Sequence, residues 1–350
     1  MKLIELPHKV CGMTCMVNGL EDLYEWKTGE RLPDWLLFYM SGLGAGFTYL
    51  KNGKAPAPRM VMWGTTTQRQ YEALAEVVGF TWDVIEGRSF EFTFKRARGW
   101  IDVGTPVVLG ALDMYHLPYY EKFYHTFHIP IHYVLMVGYD DARQVVLVQD
   151  CDRAEVQAVP YDDLRLAWDV RLPGLSDRNT MFTFAFSEQV AGAETITREG
   201  LRKRAAFMLD PPAGMFGIKG MRKLARELPH WSGELTVEQW DASLRHLVEY
   251  TGFPPMLPNR LTGYDAPDNH AAGRDGFADL LTRLGGEYGE PAWIEVAALF
   301  AQSGQLIRQL TDTVVEHILG EGDTLAAATA LLVRIGNLEE QAYHSVVRSA

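Results

Sequence analysis

Apolar positions along this 350-residue chain change their period roughly halfway. Before about residue 190, short β-branched and aromatic runs predict strands at 59–64, 104–112, 132–138, 144–150 and 180–187. Helical spacing is predicted at 12–25, 66–78 and within 158–170. From about 192 the period is helical throughout, over 194–209, 216–228, 236–251, 274–286, 291–319 and 323–348, with Gly, Pro and Asn between segments. The pattern predicts an α+β domain over 1–190 and an all-helical domain over 191–350. The longest loop, 253–273, reads as a lid or a disordered segment.

The runs HYVLMVG and QVVLVQD flank polar turn residues and predict an antiparallel hairpin. A turn centred on Asp141 sets His132 opposite Asp150, on one face, with Cβ atoms roughly 5 Å apart. An imidazole backed by a carboxylate is an oriented base. A one-residue slip would turn one partner to the other face. The nucleophile expected for this base is Cys11, placed at the start of the helix predicted over 12–25, where backbone N–H groups and the macrodipole favour a thiolate. Cys15, one turn further on, is expected to pack in the core.

Composition narrows the remaining chemistry. Apolar residues make up 47% and charged residues 22%, as in ordinary globular chains. A net charge of −12 argues against non-specific nucleic-acid binding. No apolar run approaches the roughly 20 residues of a membrane span. The N-terminus lacks a secretory pattern and three cysteines make no disulfide framework, so the expectation is a cytoplasmic protein with reduced thiols. His116, His125, His128 and His132 invite a metal reading, but Pro130 interrupts the helix that would align them. No metal is expected. Asp113, Tyr115 and His128 of the aromatic loop are the candidate substrate-binding residues. The glycine-dense stretch 41–49 lacks the Walker lysine and reads as a tight turn or as backbone held close to a substrate. Basic residues at 202–204 and 219–226 read as a solvated face or as a landing patch for an acidic carrier protein.

The order Cys, His, Asp is that of papain-like cysteine enzymes. CGMTC at 11–15 and HYVLMVGYD at 132–140 resemble segments of the bacteriocin-leader peptidases. More widely, the glycine-dense 41–49, GTPVVLGALDMYHLPY at 104–119 and HIPIHYVLMVGYDD at 128–141 resemble the N-terminal domain of butirosin-biosynthesis H-type proteins. The second half resembles the uncharacterised helical domain that often follows it. The resemblance implies a papain-like fold and an acyltransferase. In that role Cys11 would attack the phosphopantetheine thioester of an acyl carrier protein, His132 would move the protons and Asp150 would orient His132. The acyl group would pass to a small-molecule amine, with no tightly bound cofactor. The sequence departs from the leader peptidases in having no Gln upstream of Cys11, and from some relatives in having Val10 before it. Backbone N–H groups then become the expected oxyanion donors. Hydrolysis by the same residues, as a peptidase or amidase, and a non-catalytic scaffold are the alternatives. The helical half is open to pairing in a homodimer or to covering the active site.

Overall fold

The computed structural model describes residues 1–172, 175–252, 256–263 and 269–349. Contacts divide the chain into two compact units, Met1–Phe38 with Thr66–Ala193 and Tyr39–Thr65 with Glu194–Ala350. The architecture is α+β: an antiparallel sheet with helices, then a helical region.

In the first unit the strands are β1 (Lys2–Leu3), β2 (Phe80–Ile85), β3 (Val107–Leu112), β4 (His132–Asp140), β5 (Val145–Asp150), β6 (Arg153–Pro160) and β7 (Met181–Phe186). They pair antiparallel in the order β2-β7-β3-β4-β5-β6, and β1 adds to β4. The period-two alternation of strands sorts the side chains. Val107 and Leu109 of β3, Val134 and Met136 of β4, and Val146 and Val148 of β5 share one core with Phe90, Ala97 and Ile101 of the helix Phe90–Asp102. His132 has the parity of Val134 and Met136, and Asp150 that of Val146 and Val148. The strand pattern therefore delivers both to one face.

The intervening residues Val108 and Leu135 meet helix α1 (Cys15–Thr28) instead, at Gly19. A Cβ at residue 19 would lie 3.1 Å from Leu135 Cβ and 3.1 Å from Val108 Cγ2. Glycine in mid-helix costs helix propensity, and here it permits the close approach that seats α1 on the sheet. Gly19→Leu is expected to lower stability by about 1–3 kcal/mol through overpacking, read as a lower urea midpoint. An unchanged midpoint would mean that α1 is not seated on Gly19.

The hairpin forms between β4 and β5. Its turn is fixed by Asp140 Oδ1, which accepts N–H bonds from Ala142 at 3.0 Å and Arg143 at 3.4 Å. The register differs from the sequence expectation. Leu135 faces Gln149 and Met136 faces Val148, with a bulge between Met136 and Gly138. Continued to the strand end, this sets Val134 opposite Asp150, and His132 pairs with Leu112 of β3. The slip is an even one at this end, so His132 and Asp150 become diagonal neighbours and keep their shared face.

In the second unit the segment 39–65 groups with the helices, a division different from a single cut at 190. Its large side chains explain this. The Tyr39 ring stacks on Phe277 at 5.1 Å, Tyr49 stacks on Trp231 at 6.2 Å, and Tyr343 donates to the Ala45 carbonyl. The helices run Ala193–Leu209, Gly217–Glu227, Val237–Thr251, Arg274–Glu287, Pro291–Ile318 and Leu325–Ser349. Within the loop expected over 253–273, residues 253–255 and 264–268 lie outside the described residues. The rest includes short turns of helix at Asn259–Thr262 and Ala271–Gly273.

Candidate active site

The helix that carries the nucleophile candidates starts later than its apolar spacing predicts. Met13 takes a positive φ of 66°, and Thr14 is the residue before the first helical one, Cys15. Thr14 Oγ1 donates back to the Cys11 carbonyl, and the N–H groups of Val17 and Asn18 donate to Thr14 O at 2.8 and 2.9 Å. The N–H groups of Cys15 and Met16 have no backbone acceptor among the described residues, as expected of the first turn of a helix. The N-terminal end of the macrodipole thus lies at Cys15.

The structure brings Cys15, not Cys11, to His132. The Cys15 thiol lies close enough to the His132 ring to raise its pKa, and it donates to the Ile131 carbonyl at 3.9 Å. Cys15 is partly exposed, whereas Cys11 is buried. The Cys11 N–H donates to Cys151 O at 2.9 Å. Its thiol is pushed up to about 11, first by burial and then by the nearby Glu21 carboxyl. A thiol so raised is a poor nucleophile at neutral pH. Among the described contacts none joins Cys11 to His132. The core role expected for Cys15 is therefore the one Cys11 has, and the sequence reading exchanged the two.

His132 Nε2 donates to Asp150 Oδ2 at 2.7 Å, which leaves Nδ1 for the thiol. Burial alone would lower the pKa of this ring. The Asp150 carboxylate outweighs burial, with help from Cys15, and raises it well above the ordinary 6.5. Burial would likewise raise the Asp150 carboxyl, but the charge and hydrogen bond of His132 and the hydroxyls of Tyr119 and Tyr120 hold it down at about 2. Those tyrosines donate to Oδ2 at 2.6 Å and Oδ1 at 3.0 Å. Arg153 holds the pair in place, its guanidinium 4.5 Å from the Tyr120 ring and its Nη2 on Tyr119 O at 3.1 Å. His8 ties α1 to the same strand end: Nδ1 meets Asp22 Oδ2 at 2.7 Å, and Nε2 meets the Arg153 carbonyl at 2.7 Å. The sequence reading missed His8, Tyr119 and Tyr120 as site residues. The adjacent tyrosines were the only available signal, and no spacing rule connects them to Asp150.

The raised His132 favours folding fully below 6.5, and that contribution is lost as pH rises through its raised value. The lowered Asp150 contributes above 3.8, and its share is lost as pH falls towards 2. The pair therefore stabilises most between those limits. Urea unfolding of wild type and Asp150→Asn should show a stability gap at pH 5 that narrows on acidification towards pH 3. A gap independent of pH would contradict the ionised pair.

Asp113, Tyr115 and His128 form one cluster. His128 Nδ1 meets Asp113 Oδ2 at 2.6 Å, the Tyr115 and His128 rings stack at 4.1 Å, and Asp113 Oδ1 accepts from Tyr115 N and Ile129 N. These bonds fasten the aromatic loop to the end of β3. No described contact joins the cluster to Cys15. His116 and His125 flank Tyr115, while His132 stands apart in β4. Among the described residues no three or more His, Cys, Asp or Glu are grouped to hold a metal ion. None of the described helices is long and apolar enough to cross a membrane.

Residues 14–151 match the family described as butirosin biosynthesis protein H, N-terminal, and 162–251 match a domain of unknown function, DUF4872. The two occur in the order the sequence resemblance implied. The chain therefore carries a butirosin-biosynthesis H N-terminal domain followed by this domain of unknown function. No curated protein matches it. The butirosin-biosynthesis H-type match begins at Thr14, so it takes in Cys15, His132 and Asp150 and leaves out Cys11.

Proposed function

We propose that this protein is a cysteine-dependent acyltransferase of specialised-metabolite assembly. It takes an acyl or aminoacyl group from the phosphopantetheine thioester of a carrier protein and delivers it to a small-molecule amine. The observation that carries the reading is the partly exposed Cys15 thiol against His132, with Asp150 behind the ring. The family, named for butirosin biosynthesis, supports the metabolic setting.

In this mechanism His132 holds the proton of Cys15 as an imidazolium while the sulfur attacks the thioester carbonyl, and gives it to the departing carrier thiol. The bond to the carrier sulfur breaks and an acyl-Cys15 forms. His132 then removes a proton from the attacking amine and gives it to the Cys15 sulfur as the amide forms. The backbone N–H groups of Cys15 and Met16 are the oxyanion donors. Asp150 fixes the tautomer that leaves Nδ1 facing sulfur.

The test is to incubate the protein with acyl-loaded carrier protein, with and without added amines, and follow intact mass and product. An acyl adduct that converts to amide when amine is present supports transfer. Release of free acid alone would favour a hydrolase, and no adduct with any loaded carrier would favour a scaffold.

A further inference from the structure

The second unit buries a positive charge that none of its described carboxylates balances. Arg204, on the helix Ala193–Leu209, is 5% exposed. Its guanidinium lies against Gly42 so closely that a Cβ there would come within 2.1 Å of Nη2. Nη2 reaches the Met40 carbonyl only at 3.4 Å, and Nε has no partner among the described residues. No described carboxylate forms an ion pair with it. Burial, and the like charge of Arg274, push Arg204 down to about 10. Arg274 itself is neutralised by Glu339, with two bonds of 2.9 Å, and donates to the Gly46 carbonyl at 3.1 Å. Of the two buried guanidinium groups, Arg274 is thus paired with a carboxylate and Arg204 has none among the described residues. The Trp63 ring lies 4.6 Å from the Arg274 guanidinium, and its indole N–H is buried with no partner among the described residues.

These groups flank one short stretch, Gly42-Leu43-Gly44-Ala45-Gly46. Gly42 and Gly44 hold φ of 99° and 58°, which favours glycine. An arginine stays charged in a protein interior, and a buried charge without a counter-charge is strongly unfavourable. The unpartnered atoms at this loop, Arg204 Nε and Trp63 Nε1, are both donors, so what is missing is an acceptor. Gly42 lets the backbone lie directly against the Arg204 guanidinium, which supplies the positive charge at this loop. A tetrahedral oxyanion presents acceptors in several directions, which suits donors carried by separate elements better than a planar carboxylate does.

We propose that the 42–46 loop, with Arg204 and Trp63, is a binding site for a phosphate group, either inorganic phosphate or a phosphate monoester. The test is equilibrium dialysis of the full-length protein, freed of phosphate, against inorganic phosphate, ethyl phosphate and acetate at up to millimolar concentration. One equivalent of phosphate should bind to wild type. Arg204→Met should bind none, yet melt no lower than wild type in phosphate-free buffer, because it removes an unbalanced buried charge. Trp63→Phe, which keeps a ring and loses one donor, should bind roughly fivefold to tenfold more weakly. Binding of ethyl phosphate as well would identify an ester-bearing ligand; binding of inorganic phosphate alone would identify the free ion. No binding by wild type, equal binding by folded Arg204→Met, or acetate binding as tightly as phosphate would overturn the proposal.

Discussion

Cys15→Ala is expected to abolish acyl loading from a carrier thioester, by at least about 10³-fold, while Cys11→Ala retains it. Only Cys15 stands at His132, at the first helical position, where two backbone N–H groups remain available. Cys11 is buried, bonded through its N–H to Cys151 and shifted up to about 11. Its loss should cost stability and leave the chemistry standing. Single-turnover loading followed by intact mass separates the two variants. The reverse result, loading that survives Cys15→Ala and fails with Cys11→Ala, would mean that the thiol expected from the sequence is the reactive one after all.

Asp150→Asn should lower the rate of acyl transfer by roughly 10⁴-fold, the scale seen where a triad carboxylate becomes an amide. Every donor around Asp150 points inward. Oδ2 accepts from His132 and Tyr119, and Oδ1 accepts from Tyr120 and the Asp152 N–H at 2.7, 2.6, 3.0 and 3.4 Å respectively. An amide NH₂ in either position meets donors, so His132 must flip its tautomer or lose the bond. With the carboxylate gone, the pKa of His132 should also fall, moving the ionisation seen in the rate profile to lower pH. A folded Asp150→Asn variant with an unchanged rate and profile would rule out the orienting role.

The hairpin shows how far local pattern reaches. Two β-branched runs around an Asp-rich turn predicted strands within two residues of those observed, and parity put His132 and Asp150 on one face. The register itself was not legible. It depends on a bulge at Val137 and on Asp140 capping the turn, neither of which alternation encodes. The pairing survived because the slip at that end is even. The exchange of Cys11 and Cys15 has a similar origin. Apolar spacing locates the body of a helix well and its first residue poorly, and a shift from 12 to 15 moves the N-terminus from one thiol to the other. Thr14, a residue type favoured just before a helix, was the signal that could have located it.

By itself the sequence determined the order of elements, the change from strand to helical period near 190, and the set of residues from which a thiol, an imidazole and a carboxylate could be drawn. These follow from short-range steric and hydrophobic periodicity, which neighbouring residues carry. Tertiary structure decided which sulfur meets the ring, that two tyrosines hold the carboxylate, and that 39–65 packs with helices far along the chain. Those outcomes depend on close packing between distant segments, at Gly19 against Leu135 or Tyr39 against Phe277, and on where buried charge finds or lacks a partner.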